Sequence, residues 1–183
     1  MKLAPLPSLA LEILTAHHAP PRLCAHLTLV HDVAQQLCAQ LKQRCPGFVV
    51  DVDAVAFGAA IHDVGKAVVV AELSGPGKEH EAVGFDLLRA YGVESRRARF
   101  AVTHGLSPVA EGVDADDLVV QLADAVWKGK RSEALESEVV RRMTSTSLPA
   151  WQAFSTLDAI LTSLARDADA RLAFQARHPV AHR

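Results

Sequence analysis

The stretch "DVDAVAFGAAIHDVGK" at 51–66 constrains the fold of this chain more than any other. It is apolar on nearly every side of a helix, so other elements must surround it. It is also too short to cross a bilayer. Gly65 stops it, and just before that stop come His62 and Asp63. An imidazole and a carboxylate at the end of a buried helix both need partners.

The flanking sequence reads as helices separated by short breaks. "PSLALEILTAHH" is a short first helix, broken by "APP" at 19–21. A long amphipathic pattern runs from Pro21 to about Gln43, with Leu23, Val30, Leu37 and Leu41 on one face. Cys45-Pro46-Gly47 ends it. Residues 67–78, with "SGPGK", form a loop, and helices follow at 79–91 and 95–105. After "GLSPVAEGVDA", Asp114 or Asp116 caps a helix through about Lys128. "SEALESEVVRRM" is helical, and one last helix has Ser147 as cap, Pro149 in its first turn and Gln175 near its end. The tail "ARHPVAHR" reads as frayed. "FVVDVDAVAF" and "KAVVVAEL" have some strand propensity, but neither has an alternating partner. The expectation is an all-α fold, a single compact helical domain over 1–183, with half of its residues hydrophobic and ample for one core.

A net charge of −2 disfavours nucleic acid as a main partner and leaves a small phosphorylated substrate open. Three cysteines, Cys24, Cys38 and Cys45, without a CxxC argue against a disulfide framework and for a cytoplasmic protein. The N-terminus is a poor signal peptide, and no run approaches a membrane span. There is no GxGxxG, Walker loop or GxSxG.

His-Asp-Val occurs twice, at 31–33 and 62–64. Adjacent side chains on a straight helix point about 100° apart, so two neighbours converge on one ion best at a helix end. His62-Asp63 is at such an end. His31-Asp32 is mid-helix, with Asp32 among polar neighbours on what reads as a wet face. Leu23, Val30 and Leu37 lie at −3, +4 and +11 from His26, which so faces the core, where a carbonyl partner is the simple alternative to a metal. The ordered set His26, His62-Asp63, His80, His104 and Asp124 has spacings of 36, 18, 24 and 20 residues. Four imidazoles and two carboxylates suit one or two borderline divalent ions.

These segments, "AHLTLVHDVA", "AAIHDVGK", "KEHEAVG", "FAVTHG" and "VVQLADAVWKGK", resemble the HD-domain superfamily of metal-dependent phosphohydrolases. Val30 and Ala34 fit the family's first segment in register from His26, not from His31, so the resemblance selects His62-Asp63. It implies a binuclear site. One ion takes His26, His62, Asp63 and Asp124, and the other takes Asp63, His80 and His104, with Asp63 as the bridge. The ions would be iron or manganese, with magnesium, zinc, cobalt and nickel as alternatives. The order of motifs looks most like the small bacterial diadenosine tetraphosphate hydrolases of the YqeK type. The chain departs from them at Gly105, where they usually have threonine, and in "AVWKGKR" after Asp124. There is no "GYP" signature of cyclic dinucleotide phosphodiesterases.

The implied activity cleaves a phosphoester or phosphoanhydride of a nucleotide or dinucleotide with a metal-activated hydroxide. Asp63, Lys66 and Glu81 are the catalytic candidates, with Glu81 a proton shuttle ahead of Glu111. Lys66, Lys128 and Arg131 are the substrate-binding candidates, and Lys130 extends that basic cluster; a solvated helix end is the alternative for "WKGKR". Trp127 either packs in the core or stacks on a base. The loop holding Lys78 is a lid or a plain connector. "ESRRARF" is a helical surface, and His17, His18, His178 and His182 fall outside the pattern. Two other functions compete: a di-iron HD-domain oxygenase, and a non-catalytic module that binds a nucleotide or a partner. The last helix caps the core, with a homodimer surface as the alternative.

Overall fold

A computed structural model describes residues 2–145 and 148–180. Every regular element among them is helical, as expected. The central element is α2 (Pro21–Arg44), preceded by α1 (Ser8–Ala16). Pro21 opens α2 at the position where a missing N–H costs nothing. Leu23, Leu27, Val30, Ala34, Leu37 and Leu41 line its buried face. Each fully buried leucine contributes about 1.5–3 kcal/mol.

The stretch at 51–66 becomes α3 (Val52–Ile61), capped by the Asp51 carboxylate, which accepts the Ala54 amide at 3.0 Å. Ala54, Val55 and Phe57–Ile61 are all buried, against α2 and α7 (Ala115–Val126). The α-helix stops at Ile61, earlier than Gly65. His62 and Asp63 form the turn into a 3-10 helix at Val64–Ala67. The loop at 67–78 holds a second 3-10 helix, Val70–Leu73.

Next come α4 (Glu79–Ala90), α5 (Ser95–Ala98) and α6 (Phe100–Thr103). The expected single helix at 95–105 is thus interrupted by a turn at Arg99, whose guanidinium reaches Asp114 at 2.7 Å and Asp117 at 3.1 Å. Asp114 caps α7 in a reciprocal box with Asp117. α8 (Glu133–Thr144) and α9 (Ala150–Ala165) pack together, and α9 places Ala153, Leu157, Ile160, Leu161 and Leu164 in the core. Ser147, the expected cap, lies outside the described residues, and Pro149 immediately precedes the first helical residue. Trp151 and Phe154 are exposed.

The last helix is two helices, a correction to the single run through Gln175. The chain turns at Arg166-Asp167 and α10 (Ala168–Ala176) packs on α2. Buried Arg171 fixes the turn by donating to the Leu164 carbonyl at 2.6 Å. The tail also docks, with the Arg22 amide bonded to the Pro179 carbonyl at 3.0 Å. Asp32 corrects another expectation. It is buried, accepting the Ala4 amide at 2.9 Å and the Gln36 amide at 2.7 Å, because the chain ahead of α1 crosses α2 there. No described helix is long and apolar enough to cross a membrane. The three cysteines are unpaired thiols.

Candidate metal centre

Five segments converge at one point. α2 supplies His26, the turn after α3 supplies His62 and Asp63, and the first turn of α4 supplies His80. His104 follows α6, and Asp124 lies in the last turn of α7. Two glycines make the convergence possible. A Cβ on Gly65 would collide with the His80 carbonyl, and one on Gly84 would sit 3.1 Å from the Gly65 nitrogen. With hydrogen at both positions, the 3-10 helix carrying Lys66 lies directly on α4.

The donors form two triads, His26–His62–Asp124 and Asp63–His80–His104, each with its ligand atoms within 4.8 Å of one another. Asp63 joins them. Its Oδ2 is 3.3 Å from His26 Nε2 and 3.8 Å from His62 Nε2. Its Oδ1 is 3.2 Å from His80 Nε2 and 3.3 Å from His104 Nε2. Asp124 Oδ1 closes the first half at 3.4 Å from His26 and 3.8 Å from His62.

The hydrogen bonds behind the rings decide what these nitrogens offer. His62 Nδ1 meets the Ala59 carbonyl and His104 Nδ1 the Phe100 carbonyl, both at 3.1 Å. A carbonyl only accepts, so in each ring Nδ1 carries the hydrogen and Nε2 the lone pair. His80 Nδ1 donates to the Glu72 carboxylate; burial works to lower the His80 pKa, but the Asp63 and Glu72 carboxylates at its two nitrogens raise it. Burial pushes the His62 pKa down to about 3, so the ring is neutral. Burial works to raise both Asp63 and Asp124, but the imidazoles around them, with Lys128 for Asp124, hold both below the usual carboxylate range. Ring nitrogens and carboxylate oxygens therefore crowd one another with few protons to share. His26 and His62 Nε2 are 3.3 Å apart, His80 and His104 Nε2 3.4 Å, and buried Asp63 Oδ1 has no hydrogen-bond partner. Cations satisfy such an arrangement, and nitrogen with carboxylate oxygen suits borderline divalent metals.

A cavity of about 290 Å³ opens beside the centre, reaching His26, Asp63 and Asp124. Lys66 lines it and bonds Asp63 Oδ2 at 2.7 Å. Lys128 lines it 3.6 Å from Asp124 Oδ2. Trp127, 3% exposed, packs edge-on to His26 and donates Nε1–H to Asp124 Oδ1 at 3.3 Å, so it orients a ligand.

Arg131 is elsewhere. Its guanidinium is held by Glu136 at 2.6 Å and Asp158 at 2.9 Å, which commits it to joining the start of α8 to α9. That removes it from the substrate-binding set. Glu81 does not line the cavity; its carboxylate lies against Gly105, on the His104 side. His31 belongs to neither triad. It is 1% exposed, with Nδ1 at 2.8 Å from the Ala56 carbonyl and Nε2 at 2.6 Å from the Gln35 amide.

Three residues that the sequence did not single out belong to the site. Glu72 orients His80 and also accepts the Glu79 and His80 amides at 3.0 and 3.2 Å, capping α4. Its one signal was an acid alone in an apolar run. Arg22 and Gln175 line the cavity from the two ends of the chain. Nothing in helical periodicity joins them.

The HD domain family model matches residues 9–127, from α1 through the end of α7, and so takes in every donor of both triads. No curated protein and no solved structure matches the chain. With the match spanning well over half of its length and the site residues in place, this chain belongs to the HD-domain family, in general a family of metal-dependent phosphohydrolases.

Proposed function

We propose that the protein hydrolyses a phosphoester or phosphoanhydride bond of a nucleotide or dinucleotide, diadenosine tetraphosphate among the candidates, using two divalent ions, iron or manganese. One observation carries this reading: the two oxygens of Asp63 face different ligand triads. When bound, such an ion pair acidifies a water and offsets the negative charge of the phosphoryl oxygens. The chain's own groups do the rest. Lys66 and Lys128 bring positive charge to the cavity beside Asp63 and Asp124. Glu72 and the carbonyls of Ala59 and Phe100 fix three imidazoles with Nε2 directed at Asp63 or its partners. Trp127 and Leu23 narrow the cavity and exclude water from one side. Three free cysteines support a reducing, cytoplasmic setting.

The test uses protein purified without oxygen, loaded with iron or manganese and offered diadenosine tetraphosphate, cyclic nucleotides and nucleoside mono- and triphosphates. Phosphate-bond cleavage that disappears in Asp63→Ala is the expected result. Fully metallated protein that cleaves none of them would refute the proposal.

A further inference from the structure

Three cations line the cavity, and they are not equivalent. Lys66 is paired with Asp63 and Lys128 with Asp124, so part of their charge is spent on metal ligands. Arg22 is bonded to main-chain carbonyls, with Nε on His178 at 3.0 Å and Nη2 on Ala176 at 3.5 Å. Among the described residues no carboxylate pairs with it. A carbonyl orients a guanidinium without cancelling its charge, and Arg22 has donors left over. It stands four residues before His26 on α2, about one helical turn or roughly 6 Å along the same face. Gln175, from the end of α10, lines the same cavity. The segment that supplies Gln175 and both carbonyls lies outside the matched residues 9–127.

We infer that the C-terminal segment builds a second anion subsite. Arg22, aimed by the carbonyls of Ala176 and His178, binds a second phosphate of the substrate about one helical turn from the phosphoryl group at the metal centre, and Gln175 contributes its side-chain amide. This rests on the phosphohydrolase reading. It assigns the site to substrates with at least two phosphates and gives α10 a part in specificity. A purely structural Arg22, stapling the tail to α2, would alter stability and leave anion preference unchanged.

The experiment is calorimetric titration of manganese-loaded full-length protein with inorganic phosphate and with pyrophosphate at one ionic strength, with metal content verified afterwards. Arg22→Gln is expected to weaken pyrophosphate roughly ten- to hundredfold, the effect of a lost charge-assisted contact, and to leave phosphate affinity and metal content unchanged. Arg22→Lys keeps the charge but cannot be aimed by two carbonyls in the same way, and is expected to lose a smaller part of the preference. Gln175→Ala should weaken pyrophosphate alone. Equal weakening of both anions, or a fall in thermal stability with unchanged preference, overturns the inference and leaves the hydrolase reading standing. Failure of the metallated wild type to bind either anion overturns both.

Discussion

Gly65→Ala is the most direct test of how the two halves of the centre are joined. The added methyl would collide with the His80 carbonyl and lie 2.7 Å from the Gly84 nitrogen. Both obstacles are backbone, so no rotamer change relieves them, and the 3-10 helix and α4 must separate. Overpacking of this kind costs about 1–3 kcal/mol. For a domain of this size that lowers Tm by about 2–12 °C, at 2–4 °C per kcal/mol. Separation also draws His80 away from Asp63, 3.2 Å distant, while His26, His62 and Asp124 stay on α2, the end of α3 and α7. On the proposed two-ion reading, the variant should hold one tightly bound ion in place of two, measured by elemental analysis after dialysis, with scanning calorimetry for Tm. Gly92→Ala is the control. Gly92 has a φ of +78° and open space around it, so its substitution strains the backbone and leaves the ion count intact. A Gly65→Ala protein with two tightly held ions and wild-type Tm would refute the close-approach argument.

Glu72→Gln keeps the shape of the cap on α4 but removes the charge that orients His80, so metal affinity at that half should fall roughly 10–100-fold in a chelator competition, with the other half unaffected. His31→Ala should leave metal content unchanged and lower stability by about 1–3 kcal/mol in urea unfolding, because the Ala56 carbonyl and the Gln35 amide lose their partner in the interior; loss of metal would reinstate the first His-Asp pair. Hydrogen bonding from Arg141, with Arg142 adding to it against burial, holds the Glu138 pKa at about 2, below its ordinary 4.5. A depressed carboxyl stabilises the fold fully above pH 4.5 and progressively less as pH falls toward 2. Glu138→Gln should therefore be less stable than wild type at neutral pH, and the gap should close as pH falls through that window.

How much of this was legible beforehand depends on how far each interaction reaches along the chain. The helices expected over 21–43 and 79–91 followed from periodicity and lie at Pro21–Arg44 and Glu79–Ala90; His62-Asp63 was favoured by its place at a helix end and selected by the family resemblance. Asp32 was misjudged as lying on a wet face. Neighbouring residues on α2 are polar, but an N-terminal segment crosses that face, and covering by a distant strand of chain leaves no local trace. The turn at Arg166-Asp167 was missed for the same reason: the apolar pattern continues through it, and what fixes it is Arg171, buried against the Leu164 carbonyl. Arg131 was drawn to the site by its nearness in sequence to Lys128, whereas the ion pairs to Glu136 and Asp158 turn it outward. Glu72 escaped because it acts from a 3-10 helix, eight residues before its partner, in no periodic relation to it.

The two ligand triads differ in what anchors them. His26, His62 and Asp124 project from α2, the end of α3 and α7, three helices packed on one another in the core. His80 stands at the first turn of α4, behind exposed residues 74–79, and the carboxylate that steadies it comes from a 3-10 helix with no buried residue. Segments of that kind open locally without global unfolding. In terms of exchange, a centre that held two ions would then have a resident position and a labile one: an ion at His26, His62 and Asp124 would be retained by the packed helices, while an ion at His80 and His104 would exchange with the surrounding solution.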